Sequence, residues 1–221
     1  CEATFTAEFH GPSMAFKDFG ARFMAAIMSH YLLKSKREIR ILVATSGDTG
    51  GAVAQGFYNT PGISVTILYP TGKVSDIQEK QLTTLGGNVT ALEIDGTFDD
   101  CQDLVKAMFN DQKFRDANQL SAVNSINWVR VMAQVVYYVT AIEKLGRSAV
   151  FSVLTVNFVN VLAGCIAKQM GAQIEGFVVA SNTNDILTRF FESKQMAANE
   201  VVPTLSPSMD IQVSSNFERL L

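Results

Sequence analysis

One lysine, Lys17, lies among small and aromatic residues in the run HGPSMAFKDFG at positions 10–20. A sheltered amine loses part of the solvation that favours its ammonium form, and a neutral amine can condense with an aldehyde to a Schiff base. The residue types also fit a plainer case, a solvated helix lysine beside Asp18. A second run, ATSGDTGG at 44–51, sits between an apolar β-branched stretch and a helical one. Its glycines permit positive φ, and the helix that follows presents unpaired N–H groups to an anion. Ser46 and Thr49 add hydroxyls; equally, Asp48 or Thr49 could simply cap the helix. The run is not G-x-G-x-x-G and no acidic residue is assignable to a ribose, so a dinucleotide fingerprint is weak. A third run, NSINWVR at 124–130, offers Ser125 as an N-cap, with Arg130 about a turn and a half later. Arginine grips phosphate through a planar, always-charged fork, and Asn and Ser supply neutral donors. A capped helix with a surface arginine is the other reading.

Apolar β-branched runs alternate with segments of helical period, and this order must position those residues. Strands are expected at 40–45, 65–69, 89–94, 149–153 and 175–180. Helices are expected at 52–58, 75–85, 99–110, 127–145, 161–170 and 184–193. Strand–helix alternation predicts parallel α/β sheets covered by helices. After a polar stretch at 111–119, the best seam between two α/β lobes is near 111–124, and a cleft between lobes is where a ligand is expected.

The net charge of −3 gives no basic footprint for nucleic acid or anionic membrane. No apolar run approaches the roughly 18 residues of a membrane span. Three scattered cysteines match no metal spacing and suggest a reducing, cytoplasmic compartment. Two histidines poorly supply a metal site or a Ser–His triad, so no metal is expected. The chain has no initiator Met and its last residues read as a helix cut short, which predicts a piece of a longer protein.

The runs at 10–20, 44–51 and 124–130 resemble the threonine synthase family, enzymes that use pyridoxal phosphate. Stretches 68–81, 96–107 and 206–220 match the same family, so the resemblance covers nearly the whole chain. It implies the tryptophan-synthase β-like fold (fold type II), with residues 1–35 and 125–221 as the cofactor lobe and 36–124 as a smaller α/β lobe. It implies Lys17 as the Schiff-base residue that shuttles protons at the substrate. Ser46, Gly47, Asp48 and Thr49 would hold the substrate carboxylate and, through Asp48, the cofactor ring. Asn124, Ser125 and Arg130 would grip the phosphate of O-phosphohomoserine, which water converts to threonine and phosphate. No obligate protein partner is implied.

One segment departs from the family. Where threonine synthases carry Pro-Ser-Gly-Asn-Phe-Gly around the cofactor phosphate, this chain reads Leu154, Thr155, Val156, Asn157, Phe158 and Val159, then Asn160. Thr155, Asn157, Phe158 and Asn160 remain compatible with cofactor binding. Valine is among the residues least tolerant of positive φ, so Val156 and Val159 are expected to strain the loop and weaken the cofactor's hold. That departure favours an alternative, a non-catalytic relative that has lost the cofactor. A threonine-synthase-like phospho-lyase, yielding a 2-keto acid, needs the same lysine and phosphate grip.

Overall fold

The computed structural model describes residues 4–7, 10–123, 127–155, 157–206, 209–214 and 216–220. The chain divides into two compact units, Cys1–Asn127 and Trp128–Leu221, so the division falls just past the expected seam.

The first unit is built on a parallel sheet of order β3-β2-β1-β4. Its strands are β1 (Ile39–Ala44), β2 (Ile63–Pro70), β3 (Val89–Ile94) and β4 (Leu120–Ser121). Helix α1 (Lys17–Ser35) precedes the sheet, and α2 (Asp48–Phe57), α3 (Asp76–Thr83), α4 (Phe98–Asn110) and α5 (Gln112–Ala117) connect its strands. Register places Ile41 beside Val65 and Val43 beside Ile67, so these four β-branched side chains share one buried face. The opposite face carries Leu42 and Leu68, packed with Cys101, Val105, Met108 and Phe109 of α4. Helix α1 packs on α2, and a Cβ at Gly56 would lie 2.9 Å from Ala21 Cβ, so the close crossing needs that glycine.

Two departures from the sequence pattern have local causes. The polar stretch after 110 forms α5, because the Asp111 carboxylate accepts from Phe114 N–H at 3.0 Å and caps it. Helix α2 starts at Asp48, four residues earlier than the apolar period suggests, for a reason described below.

The second unit contains α6 (Trp128–Leu145), β5 (Ala149–Leu154), α7 (Val159–Gln169), β6 (Ile174–Ala180) and α8 (Ile186–Ser193). Strands β5 and β6 pair in parallel. Helix α7 packs on α6, and a Cβ at Gly164 would meet Phe177 at 2.5 Å and Tyr138 at 2.8 Å. Tyr138 meets Phe151 and Phe177 edge-on, with centroids 5.0 and 5.8 Å apart. The end of the chain forms a 3-10 turn, Phe217–Arg219, in place of the expected helix. Among the described residues no helix is long and apolar enough to cross a membrane.

Candidate active site

Lys17 is the first residue of α1 and is 4% exposed. Its Nζ lies 3.0 Å from Asp48 Oδ1, 2.9 Å from Asp48 Oδ2 and 3.0 Å from Thr49 Oγ1. The solvated-helix reading of this lysine is therefore overturned. The run before it holds the amine in place through Asp18, which is 1% exposed. Asp18 Oδ2 accepts from Ser13 N–H at 2.9 Å, and Oδ1 accepts from the Ser13 hydroxyl at 2.5 Å. A Cβ at Gly11 would lie 2.3 Å from Asp18 Oδ2, so a glycine is needed where the turn crosses that carboxylate. These bonds close the turn through Met14 N–H to Gly11 O and deliver Lys17 to the helix start.

Asp48 and Thr49 are the first two residues of α2, and both side chains face Lys17 rather than capping their helix. The cap comes from further back. Thr45, 1% exposed, accepts from Gly47 N–H at 3.0 Å and Gly50 N–H at 2.8 Å through one hydroxyl oxygen. That pair of bonds pulls the helix start forward to Asp48. Gly47 has φ 141 and ψ −93, and a Cβ there would lie 2.3 Å from Gln78 Oε1. No L-residue with a side chain occupies that backbone region cheaply. Ser46 is half-buried between Thr45 and Gly47. Gln81 of α3 donates to Ser13 O at 3.3 Å, tying α3 to the lysine turn. Thr45, Asp18, Gln78 and Gln81 are supports that the sequence pattern did not single out. The available signal was a polar residue closing the apolar run at 39–44.

In the second unit, the altered loop also follows a strand and opens a helix. Thr155 Oγ1 accepts from Phe158 N–H, and Asn157 Oδ1 accepts from Val159 N–H, both at 3.1 Å. Val159 is the first residue of α7, and the positive φ, 64, belongs to Phe158. The expected strain at Val159 is thus absent, because a helical φ suits valine; Val156 lies outside the described residues. Asn160 Oδ1 accepts from the Tyr138 hydroxyl. Burial pushes that phenol up, well beyond the ordinary range.

Arg130 is 1% exposed on the first turn of α6, so it is a buried guanidinium and not a surface one. Asn124 and Ser125 lie outside the described residues. Asn182 and Asn184, ahead of α8, both donate to Asp210 Oδ1, at 2.9 and 3.0 Å. Asp185, at the helix start, instead pairs with Arg189 at 2.9 Å. Lys73 and Lys80 are exposed.

Chemically, the first unit offers a sheltered amine with a carboxylate and a hydroxyl at bonding distance, beside a helix N-terminus. The second offers a helix N-terminus whose outermost N–H groups are taken by Thr155 and Asn157, leaving those of Asn160 and Val161 as the remaining first-turn donors.

The family profile described as pyridoxal-phosphate dependent enzyme matches residues 1–220. The chain belongs to this family. Among other members, it is 48% identical to threonine synthase of Pseudomonas aeruginosa over 217 residues, 96% of this chain and 46% of that one. It is 45% identical to threonine synthase of Saccharomyces cerevisiae, over 96% of this chain and 44% of that one. The crystal structure of a PLP-bound threonine synthase from Brucella melitensis superposes with a TM-score of 0.89 at 50% identity, covering 96% of this chain and 47% of that one. The chain spans about half the length of the relatives it matches. Its fold is that of the fold type II pyridoxal-phosphate enzymes. A tomato threonine deaminase at 15% identity shares it with a TM-score of 0.72. Each unit by itself offers donors of a kind the family's cofactor takes: the first a buried amine suited to an aldehyde, the second first-turn N–H groups of α7 suited to a phosphate.

Proposed function

We propose that this chain carries the reactive lysine of a threonine synthase, which converts O-phosphohomoserine and water to threonine and phosphate. The observation that supports this reading best is Lys17, buried and held at 3.0 Å by both Asp48 and Thr49. These three residues come from two of the three runs that resemble threonine synthases.

In this reading Lys17 Nζ would hold pyridoxal phosphate through its aldehyde carbon. Thr155, Asn157, Phe158 and Asn160 would hold its phosphate, and Asp48 would serve its ring. When bound, the cofactor supplies an electron sink that makes protons on neighbouring substrate carbons removable. Once the substrate's amine has displaced it, Lys17 Nζ would take a proton from a substrate carbon and return it, while Asp48 would keep the amine oriented and its charge compensated. The N-terminus of α2, with Ser46, Gly47 and Thr49, receives the substrate carboxylate, where the helix end favours negative charge. Asn124, Ser125 and Arg130 bind the phosphate that leaves. The family's small-molecule chemistry thereby narrows to one phosphorylated amino acid, and the scattered cysteines support a cytoplasmic setting. The cofactor-free alternative is weakened, since Val159 occupies an unstrained helical position.

The test uses the full-length protein. After addition of pyridoxal phosphate and reduction with borohydride, peptide mapping should find the pyridoxyl group on Lys17. Labelling of Lys34, Lys73 or Lys80 instead would overturn the assignment. Release of phosphate from O-phosphohomoserine with threonine as co-product is the expected turnover. A 2-keto acid in its place would mark a phospho-lyase.

A further inference from the structure

The altered loop holds a non-glycine residue in a left-handed conformation, and something must keep it there. Phe158 has φ 64 and ψ 0 and caps α7. Its ring is 1% exposed and meets the ring of Phe217 edge-on, centroids 4.9 Å apart at 88°. Phe217 is itself 2% exposed and rests on Phe190 of α8, with centroids 4.7 Å apart. Next to it, Asn216 donates both its N–H and its Nδ2 to Asn157 O, each at 3.2 Å. The end of the chain thus touches two consecutive loop residues, one through the backbone and one through the ring.

We propose that Asn216 and Phe217 are positioning residues that hold the Asn157–Phe158 backbone in the shape that aims α7's first-turn N–H groups at the cofactor's phosphate. Glycine adopts a left-handed φ without cost, and phenylalanine does not. This loop keeps its shape through Thr155 and Asn157 from within and Asn216 and Phe217 from without. Released from the brace, Phe158 returns to negative φ, and the peptide that opens α7 turns with it. The inference rests on the reading that α7 receives the cofactor's phosphate.

Pyridoxal phosphate and pyridoxal, which lacks the phosphate, separate the two ideas. In the full-length protein, visible absorbance on titration gives an affinity for each. Phe217→Ala should weaken pyridoxal phosphate by about 2- to 12-fold, the range for loss of one edge-to-face aromatic pair, and leave pyridoxal unchanged. A merely structural loss would weaken both alike and overturn the proposal. Adding Phe158→Gly to Phe217→Ala should restore the preference for the phosphorylated form, because glycine holds the left-handed φ unaided. Absence of that rescue also overturns it. Should Phe217→Ala not fold, Asn216→Ala removes the carboxamide with its Nδ2 bond to Asn157 O, keeps the backbone N–H bond, and must shift the same ratio in the same direction. Hydrogen exchange without cofactor gives a second reading, in which Phe158 and Val159 amides lose protection while the middle of α7 keeps its own. A parent protein that binds pyridoxal as tightly as its phosphate would instead refute the role of α7, and this inference with it.

Discussion

Replacing Thr45 by valine tests whether one hydroxyl builds the front of the lysine site. Valine keeps the shape of threonine and exchanges Oγ1 for a methyl group. Gly47 and Gly50 are buried, so their N–H groups, now 3.0 and 2.8 Å from Oγ1, would lose their acceptor without gaining water. Each buried donor left unsatisfied costs about 1–3 kcal/mol, which gives about 2–6 kcal/mol for the pair. That is a large part of the roughly 5–15 kcal/mol that stabilises a typical domain. Thr45→Ser is the matched control. It keeps the acceptor and loses only the methyl that packs on Gly50, where a Cβ would lie 2.4 Å away. A buried methyl is worth about 0.5–1.5 kcal/mol. Urea unfolding followed by circular dichroism supplies both values, and hydrogen exchange locates the loss in the first turn of α2. Equal destabilisation by valine and serine would refute the reasoning, since the hydroxyl would then contribute nothing beyond its packing.

Gly47→Ala should destabilise by about 1–3 kcal/mol from backbone strain at φ 141. Adding Gln78→Ala removes the steric clash but not the strain, so full recovery of the urea midpoint in the double variant would contradict the backbone argument. Alkaline pH should also weaken the fold. Burial raises the thiols of Cys101 and Cys165 above their usual 9.0 and the phenol of Tyr138 above its usual 10.0. The unfolded chain therefore gives up these protons first, so their contribution is complete below pH 9 and shrinks as pH rises beyond it. The urea midpoint should fall between pH 9 and 11, and Tyr138→Phe should flatten the part above pH 10; a midpoint that rises over that range counts against the burial argument.

The strand–helix order was legible because β1 and β2 are runs of β-branched and apolar residues that a parallel, two-faced sheet requires. Helix α5 was not, since its six residues, QKFRDA, show no usable period and form around a cap. The site was legible only in pieces. Lys17 and Asp48 are 31 positions apart, and nothing in their spacing brings them together. Likeness to a family singled out both runs; the fold makes them meet. The strain assigned to Val159 failed for a general reason. Residue type sets how costly a positive φ is, but the bonds from Thr155 and Asn157 set which residue bears it. The bonds from Asn182 and Asn184 to Asp210 were not legible either, since that partner lies more than 20 positions away.

The two strand–helix loops share one device and differ in what their backbone asks of a side chain. Thr45 and Thr155 each stand one residue past a strand and are 1% and 3% exposed. Each gives its N–H to the neighbouring strand, Thr45 to Leu68 O at 2.9 Å and Thr155 to Ala180 O at 3.0 Å. Each then turns its hydroxyl forward to take N–H groups of the coming helix. A single threonine thus joins the last rung of the sheet to the first turn of the helix, fixing one against the other. What differs is the backbone in between. At Gly47, φ 141 with ψ −93 lies outside every region open to a residue with Cβ, so no outside contact can make a substitution comfortable. At Phe158, φ 64 with ψ 0 is left-handed, a region that ordinary residues enter at a cost and that packing can offset. Glycine at the first loop is a requirement of geometry. At the second, the left-handed position holds phenylalanine here as in the family's pattern, and Asn216 and Phe217 brace it.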